Sequence, residues 1–332
     1  MLDALFHSPH AFDTPERLTD VSSWHGHLPF ALFSISFFKP RVFVELGTHK
    51  GDSYCAFCQA VKTLDLPTRC FAVDTWQGDA QSGHYGPGVF DELAQYNTVR
   101  YADFSELLRM TFDEALHRFA DGTVDLLHID GLHTYAAVRH DFDAWLPKMS
   151  PAGVVLLHDT HVTQDDFGVW RLWKELSERY PSFCFQHSSG LGVLAVGQHQ
   201  PPGTEILFHL SPPAAQWVRH LFRCLGERVT LCRRTEELKN RLHAVDWELG
   251  TTRTYARDLE ERVEEIAAND ARRGRYIQGL EERLDHLAGL YEERGRWIEV
   301  LEQRLAEPLS ARLMRMARAD IARLRARLRG AV

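Results

Sequence analysis

The sequence predicts a doubly wound α/β domain followed by a long helical region. Short apolar segments alternate with helical patterns over residues 41–197, and continuous apolar stretches such as Val154–Leu157 are typical of strands in a buried parallel sheet. Beyond a linker rich in Pro and Gly at residues 198–203, the strand pattern stops. A 21-residue repeat then follows in the helical region. These three observations divide the chain into an α/β part and a helical part.

The elements of the α/β domain are predicted from local patterns. Residues 1–40 form a helical lead-in, because Trp24–Phe38 is apolar and aromatic enough to lie across a sheet. The last two strands are joined through Ser188–Gly190 without a helix, which predicts an antiparallel hairpin at one sheet edge. The predicted strands are Val42–Gly47, Arg69–Thr75, Val124–Asp130, Gly153–Thr160, Phe183–His187 and Leu191–Gly197, and the predicted helices are Ser53–Thr63, Asp113–Ala120, Tyr135–Leu146 and Asp166–Tyr180.

The helical region divides into residues 198–253, a linker with helices, and residues 254–306, a coiled coil. The repeated segments are Tyr255–Val263, Tyr276–Leu284 and Trp297–Leu305. Twenty-one residues make three heptads, and the apolar positions are spaced three and four apart except for breaks at Asp270, Arg273 and Arg294. The pattern predicts one long helix that needs a partner helix, and hence a homo-oligomer. The alternative is a lone charged helix rich in Glu/Arg pairs.

Residues 307–332 are predicted to form a basic amphipathic helix. From Leu309 onward there are seven arginines against a single acidic residue, Asp320. Such a helix suits a peripheral contact with an anionic membrane surface or an acidic partner. A solvated terminal helix is the alternative.

Composition excludes several classes of protein. The formal net charge of the 332 residues is -8, so no overall basic field would recruit nucleic acid. The sequence shows no secretory signal and no apolar run long enough for a membrane span. Six cysteines without a regular framework are typical of a reduced, cytoplasmic protein, which the basic helix could bring to the inner membrane face. We interpret Cys55 and Cys58 as packing residues, with a redox or metal pair as the alternative.

The segment Val42–Ser53 has the pattern of a strand, a glycine loop and the start of a helix. Gly47 and Gly51 would let the backbone approach a ligand closely, and this is where open α/β sheets bind nucleotide-like ligands. The next strand ends in Asp74, which is placed to accept hydrogen bonds from a ribose diol. The sequence therefore predicts a nucleotide-like ligand at this edge.

Two further strands also end in carboxylates. Asp130 and Asp159 should lie side by side, and with oxygen from Thr160 or from water they would form a site for Mg²⁺. His158 would be a ligand if the metal were softer, such as Mn²⁺. The alternative is that each aspartate only caps the helix that follows it.

The histidines near these strand ends differ in their expected roles. His133 is a candidate general base, with loop orientation as the alternative. His128 lies within the strand and His140 on a helix face, so we expect both to be structural or solvated. Asp141-Phe-Asp143 matches the D-x-D pair of nucleotide-sugar transferases, but it lies within a helical pattern and we do not favour that role.

Residues 24–197 resemble class I S-adenosylmethionine-dependent methyltransferases, in the branch similar to macrocin O-methyltransferase and cephalosporin-hydroxylase-like proteins. The resemblance implies a Rossmann-like, seven-stranded sheet and covers just over half of the chain. It rests on four segments: Val44–Ser53, Ala72–Trp76, Leu127–Tyr135 and Gly153–Thr160.

The resemblance also implies roles for individual residues. Asp74 would hold the ribose hydroxyls, Trp76 would flank the ribose or adenine, and Ser105 would lie near the adenine. Asp130 and Asp159 would bind the metal. His49 replaces the middle glycine of the usual loop, and this branch tolerates a larger residue there. The residues implied around the methionine part of S-adenosylmethionine are Glu45, Gly47, Thr48, Gly51 and Ser53.

The sequence thus favours an S-adenosylmethionine-dependent, metal-assisted O-methyltransferase that acts on a sugar or glycan-linked hydroxyl. Asp130 and His133 would carry the catalysis, and the polar segment Gly78–Phe90 would form a lid over a small-molecule or glycan acceptor. Similar proteins are found joined to glycosyltransferases, which implies a glycosyltransferase partner. The alternatives are a hydroxylase-like or other group-transfer enzyme, or an assembly protein with an idle domain.

Overall fold

A computed structural model describes residues 9–79, 81, 83–269 and 274–306, together with positions 310, 314, 318, 319 and 322. The chain forms two compact units, one that extends to Thr230 and one that begins at Leu231. Most of the predicted basic helix at residues 307–332 lies outside the described residues. Among the described helices, none combines the length and apolar character needed to cross a lipid bilayer.

The first unit alternates strands and helices as the sequence predicts. Its helices are α1 (Leu28–Phe38), α2 (Asp52–Thr63), α3 (Gly88–Tyr101), α4 (Phe112–Ala115), α5 (Tyr135–Trp145) and α6 (Val169–Ser177). Its strands are β1 (Val42–Leu46), β2 (Arg69–Asp74), β3 (Gly78–Asp79), β4 (Gly83–His84), β5 (Ser105–Arg109), β6 (Val124–Ile129), β7 (Met149–His158), β8 (Ser182–Phe185) and β9 (Leu191–Ala195). Two longer helices follow, α7 (Pro212–Asn269) and α8 (Gly274–Ala306).

Seven strands form one sheet in the order β5-β2-β1-β6-β7-β9-β8, which confirms the Rossmann-like, seven-stranded prediction. The first five strands are parallel, and β9 runs antiparallel to both β7 and β8. The predicted hairpin at the sheet edge is therefore confirmed. Leu46 at the end of β1 pairs with Ile129 at the end of β6, so the residues after these two strands meet at one edge. That edge is the switch point where open α/β sheets bind ligands.

The sequence prediction lacked the strands β3, β4 and β5 and the helix α3. Strand β5 is a half-exposed edge strand with the sequence Ser-Glu-Leu-Leu-Arg, which lacks the continuous apolar run of the central strands. Helix α3 buries only Leu93, Asn97 and Tyr101, so its amphipathic pattern is weak. The helix predicted at Asp113–Ala120 shortens to α4 and a 3-10 turn. These elements lie at the periphery, where the hydrophobic pattern is a weaker signal.

Helix α1 covers the apolar end of the predicted lead-in, and it belongs to the core. Ten of the eleven residues of α1 are buried, as expected for a helix that is apolar on all sides. The start of α7 packs on it, with the Phe222 ring 5.5 Å from the rings of both Phe30 and Phe33. The first unit therefore needs both α1 and the start of α7 to complete its core.

The second unit corrects the prediction of one uninterrupted helix over Thr254–Leu305. Helix α7 ends at Asn269 and α8 begins at Gly274, near the predicted breaks in the apolar pattern. Asp246 on α7 forms an ion pair with Arg294 on α8, although a single helix would hold these residues far apart. The physical reason lies in the sequence between Ile266 and Tyr276. Its only apolar residues are Ala267, Ala268 and Ala271, and these small side chains do not continue the apolar stripe. Each helix thus has a partner within the chain, and self-association stays a prediction.

Candidate functional site

A cavity of about 520 Å³ opens at the carboxyl ends of the central strands. The glycine loop after β1 forms one wall, and the ends of β2, β6 and β7 form the floor. The predicted site residues that line it are Gly47, Thr48, Gly51, Ser53, Asp74, Asp130, His133, His158 and Asp159. The structure thus brings nine residues from four separate segments to one cavity.

The glycine loop lies directly against the end of β6. Gly47 has a φ of +85°, and a Cβ atom there would lie 2.1 Å from the carbonyl oxygen of Asp130. Only glycine avoids both the backbone strain and the collision. The hydroxyl oxygen of Thr48 is buried at the cavity and has no hydrogen-bond partner among the described residues. A buried polar atom without a partner is expected to meet a ligand or a water molecule.

Asp74 holds the glycine loop through its carboxylate. One oxygen accepts hydrogen bonds from the backbone N–H groups of Thr48 and His49, both at 2.9 Å, and the other accepts from the N–H of Trp76 at 2.7 Å. An ionised carboxylate has about four acceptor positions, so about one remains free toward the cavity. Asp74 is therefore a latch for the loop and retains capacity for one further donor.

Glu45 lies behind the loop and does not line the cavity. Its side chain is fully buried, and one carboxylate oxygen lies 2.8 Å from Nδ1 of His128. Burial raises the pKa of Glu45, and the contact with His128 only partly opposes this effect. The structure thus places Glu45 in a buried pair and confirms the structural role expected for His128.

Trp76 also differs from its expected position. Its ring is buried, its indole N–H donates to the carbonyl oxygen of His49 at 2.9 Å, and it packs against Phe90. Trp76 therefore supports the glycine loop from behind and is not among the residues that line the cavity.

The structure places Ser105 outside the residues that line the cavity, and its contact with the adenine stays a prediction. Ser105 begins β5, so it lies at the amino end of the sheet, where its hydroxyl contacts Tyr54 and Asn97. Thr111 and Phe112 follow the carboxyl end of β5 and do line the cavity. The sequence did not reveal these two residues because β5 was not predicted.

The carboxylates at the ends of β6 and β7 converge on one imidazole. Nε2 of His133 lies 2.9 Å from Asp159 and 3.3 Å from Asp130. Single ligand atoms of these three residues lie within 4.8 Å of one another. Asp159 has a φ of +59°, a strained backbone conformation that is found at functional sites. The predicted pairing of the two carboxylates is present, and the group has the donor chemistry of a divalent metal site.

His158 faces the same carboxylates from the protein interior. Its side chain is 2% exposed, with Nδ1 at 3.2 Å from Asp130 and 3.4 Å from Asp159. This placement suits a hydrogen bond that orients the carboxylates. The hydroxyl of Thr160, which the sequence offered as an oxygen ligand, instead contacts Cys184 and His161.

The two imidazoles and two carboxylates shift one another's pKa values. Burial lowers the pKa of His133, but hydrogen bonds to Asp130 and Asp159 outweigh burial and raise it to about 9. Burial likewise opposes the shift at His158, where the same carboxylates raise the pKa to about 10. Without a metal, both rings are therefore cationic at neutral pH. A divalent cation would take the place of the proton on His133.

This cluster predicts how the stability of the metal-free protein depends on pH. The pKa of His133 is raised above its ordinary 6.5, so its stabilising contribution is complete below about pH 6.5 and is lost as the pH rises through about 9. The contribution of His158 is lost through about pH 10. We expect the difference in the free energy of unfolding between the wild type and Asp159→Asn to decrease as the pH rises from about 6.5 to about 10. Urea unfolding at a series of pH values in a chelator measures this, and a constant difference would contradict it.

Other predicted features lie away from the cavity. His140 is exposed beside Asp113, as expected. Asp143 forms a surface ion pair with Arg139 on α5, so Asp141-Phe-Asp143 does not form a ligand site. Cys55 and Cys58 are buried in the core, which agrees with packing.

The segment Gly78–Phe90 contains a short antiparallel hairpin, β3 and β4, followed by the start of α3. Tyr85 stacks on the ring of His49, with ring centroids 4.2 Å apart, and both residues line the cavity. The predicted lid segment thus forms a wall of the site. Whether it moves stays a prediction.

Comparison with known proteins gives a family match for part of the chain. Residues 44–160 match the family described as a methyltransferase domain, and they include the glycine loop and the carboxylates of Asp130 and Asp159. An uncharacterized protein, y4gI of Sinorhizobium fredii, is 47% identical over 203 residues, which are 61% of this chain and 22% of that protein. The chain therefore spans about a fifth of the length of that relative.

Solved structures are also similar to this chain. The O-methyltransferase TomG from Streptomyces achromogenes, involved in tomaymycin synthesis and in complex with SAM, is 17% identical, with a TM-score of 0.40 over 59% of this chain and 90% of that one. The SAH-bound methyltransferase PaMTH1 from Podospora anserina is 12% identical, with a TM-score of 0.40 over 58% of this chain and 94% of that one.

Proposed function

We propose that this chain, whose residues 44–160 form a methyltransferase domain, is an S-adenosylmethionine-dependent O-methyltransferase that uses a divalent metal and acts on a sugar or glycan-linked hydroxyl. The observation that carries the proposal is one shared cavity. The glycine loop at Gly47 and the cluster of Asp130, His133 and Asp159 both open into it. A methyl donor on the loop and a hydroxyl at the cluster would therefore be neighbours.

The loop fits the methyl donor on three observations. Gly47 leaves the backbone bare, Thr48 offers a buried hydroxyl without a partner, and Asp74 retains a free acceptor position. S-adenosylmethionine, when bound, supplies an electrophilic methyl group on a sulfonium. The loop residues would hold the donor in one orientation, and positioning of this kind can provide much of the rate enhancement of a methyl transfer.

The carboxylate cluster fits a divalent cation by its donor set. Two carboxylates and one imidazole suit Mn²⁺ or another first-row metal, and the carboxylates alone would also suit Mg²⁺. A bound divalent cation lowers the pKa of a hydroxyl group that it contacts. His158 would hold both carboxylates in place from beneath.

The role of His133 depends on its Nε2 atom. That atom faces both Asp130 and Asp159, and its single lone pair cannot bind a metal and accept a proton at the same time. We therefore propose His133 as a metal ligand when the metal is present. The role of general base, expected from the sequence, is the alternative for a site in which only the carboxylates bind the metal.

The polar walls of the cavity support an acceptor rich in hydroxyl groups. Ser23, Lys50, Asp79 and Tyr85 line the cavity and offer hydrogen-bond donors and acceptors. The choice of a sugar or glycan, and of a glycosyltransferase as partner, rests on the resemblance of the sequence to its family branch.

Calorimetry with S-adenosylmethionine on the purified full chain tests the proposal. We expect binding in the micromolar range, and no binding to the wild type would overturn the proposed function. Incubation with a panel of sugar acceptors and Mn²⁺ then separates the alternatives by product mass. A gain of one methyl group supports methyl transfer, whereas a gain of one oxygen atom would support the hydroxylase-like alternative. Donor binding without any product from a broad panel would favour an idle domain.

Removal of the Asp74 latch should weaken binding of the methyl donor. In Asp74→Ala, the backbone N–H groups of Thr48, His49 and Trp76 lose their acceptor, and the free acceptor position at the cavity is lost. Hydrogen bonds to charged groups contribute about 1.5–3 kcal/mol, so we expect the dissociation constant to rise at least about tenfold. Calorimetry measures the change.

The matched control is Asp103→Ala, because Asp103 is an exposed aspartate outside the cavity. It should bind the donor as the wild type does. Equal affinity of Asp74→Ala and Asp103→Ala would show that the latch has no part in donor binding.

A further inference from the structure

We infer that Gln81 is a positioning residue, whose side chain fixes His133 as the tautomer with the proton on Nδ1 and thereby directs the lone pair of Nε2 at Asp130 and Asp159. Gln81 lies between β3 and β4, and no sequence pattern indicates a role for it. Its connection with metal binding rests on the proposed function.

The orientation of the Gln81 amide follows from its two partners. Its Oε1 lies 3.0 Å from the backbone nitrogen of His133, and its Nε2 lies 2.6 Å from a carboxylate oxygen of Asp166. A backbone N–H group can only donate, and an ionised carboxylate can only accept. The oxygen of the amide must therefore face His133, and the NH₂ group must face Asp166.

This orientation determines which ring nitrogen of His133 carries the proton. Nδ1 of His133 lies 3.0 Å from the same Oε1 atom of Gln81. An amide oxygen only accepts, so Nδ1 must be the donor and must be protonated. Nε2 faces Asp130 and Asp159, which as ionised carboxylates only accept, so it carries a proton in the absence of a metal and a lone pair once a cation takes the place of that proton. A lone pair directed at two carboxylates is favourable only when a cation or a proton lies between them.

The ring plane of His133 is fixed as well. Phe167 stacks on it with ring centroids 4.8 Å apart and planes 10° apart, and the carbonyl oxygen of His133 accepts a hydrogen bond from Gly168. Asp166 and Phe167 are neighbours in the segment before α6, so this segment and the hairpin hold His133 from two directions. Outer contacts of this kind hold the ligands of a metal in place.

The Gln81 contact also connects the hairpin with the metal site. The backbone N–H of Gln81 donates to Asp79 at 2.7 Å, which holds the turn of the hairpin. When the hairpin is in this position, His133 presents Nε2 to the carboxylates. If the hairpin were displaced, His133 would lose its acceptor at Nδ1 and could adopt the other tautomer. The wall of the cavity and the ligand set are therefore assembled together.

The test uses the full chain with labelled histidine and two readouts. Long-range ¹H–¹⁵N spectra report the tautomer of His133, identified by the signal that His133→Gln removes. They are recorded with Zn²⁺ bound, where the cation takes the place of the proton on Nε2. Calorimetry reports Zn²⁺ affinity. In the wild type with Zn²⁺, we expect the proton on Nδ1.

The variants separate positioning from a general structural effect. Gln81→Leu should lose the preference for Nδ1–H and should weaken Zn²⁺ binding about 10–100-fold. Gln77→Leu is the matched control, because Gln77 is an exposed glutamine just before the same hairpin, and it should behave as the wild type does. In the double variant Gln81→Glu with Asp166→Asn, position 166 becomes the donor and position 81 the acceptor of the hydrogen bond between them. The acceptor for Nδ1 of His133 is kept, so we expect both readouts to match those of the wild type.

The results distinguish this inference from the proposed function. If Gln81→Leu keeps the Nδ1–H tautomer, or if the wild type itself carries the proton on Nε2, the inference is wrong even when S-adenosylmethionine binds. If the tautomer changes as expected but S-adenosylmethionine does not bind to the wild type, Gln81 positions His133 and the proposed function is wrong. Unchanged Zn²⁺ affinity in Gln81→Leu would overturn the connection with metal binding.

Discussion

Gly47→Ala should unfold a large fraction of the protein or prevent it from folding. The added Cβ atom would lie 2.1 Å from the carbonyl oxygen of Asp130, and that oxygen belongs to rigid backbone at the end of β6. The φ of +85° adds strain, since a side chain in that region costs about 1–3 kcal/mol. Overpacking adds about 1–3 kcal/mol. A loss of about 4 kcal/mol is a large part of the stability of a typical domain.

Gly122→Ala is the control for Gly47→Ala. Gly122 has a similar φ of +74°, but a Cβ atom there would meet nothing within 4 Å. Gly122→Ala should lower the free energy of unfolding only by the cost of the backbone strain, about 1–2 kcal/mol. Urea unfolding of both variants measures the difference. Equal losses would mean that the contact between the glycine loop and Asp130 is not tight.

Asp130→Asn should weaken metal binding and abolish turnover while it leaves binding of the methyl donor unchanged. The substitution keeps the size of the side chain and removes a negative charge that faces both His133 and His158. Loss of a ligand should weaken Mn²⁺ binding at least as much as loss of an outer contact, about 100-fold. Calorimetry with Mn²⁺ and with S-adenosylmethionine, together with product mass, gives the three measurements.

Asp143→Asn provides the comparison for Asp130→Asn. Asp143 is an exposed aspartate that pairs with Arg139 on α5 and does not line the cavity. Its substitution should change neither metal binding nor turnover. Wild-type turnover in Asp130→Asn would contradict a role for the metal, and a loss of donor binding in the same variant would show that the two parts of the site cannot be separated.

The sequence predicted those parts of the site that the central strands position. Continuous apolar strands are a strong signal, and a polar residue directly after such a strand must lie at the edge of the sheet. For this reason Asp74, Asp130 and Asp159 were placed correctly at the cavity. The position of Ser105 at the start of β5 was not predicted, because the mixed sequence of this edge strand hides its start and direction.

Other contacts depend on tertiary structure and leave no local pattern. Gln81 and Phe167 are 86 residues apart in the sequence, and both contact His133 only because the hairpin and the segment before α6 lie over that ring. Glu45 matches the family pattern, but its buried position follows from the pairing of β1 with β6, which brings His128 beside it. In the helical region the breaks at Asp270 and Arg273 were visible, but the heptad pattern alone could not tell an intramolecular partner from a second chain.

The lead-in segment determines how the first unit could be exchanged between proteins. Thr19 and His25 contact Asp52 at the start of α2, and His27 and His187 each bind the backbone of the other's segment. A recombination point at residue 41, where the strands begin, would cut these contacts and expose α1. A point at residue 198 would remove Phe222 from the same core. The part that would have to be exchanged as a whole is therefore the stretch up to Thr230. This stretch is longer than the segment that contains the site residues.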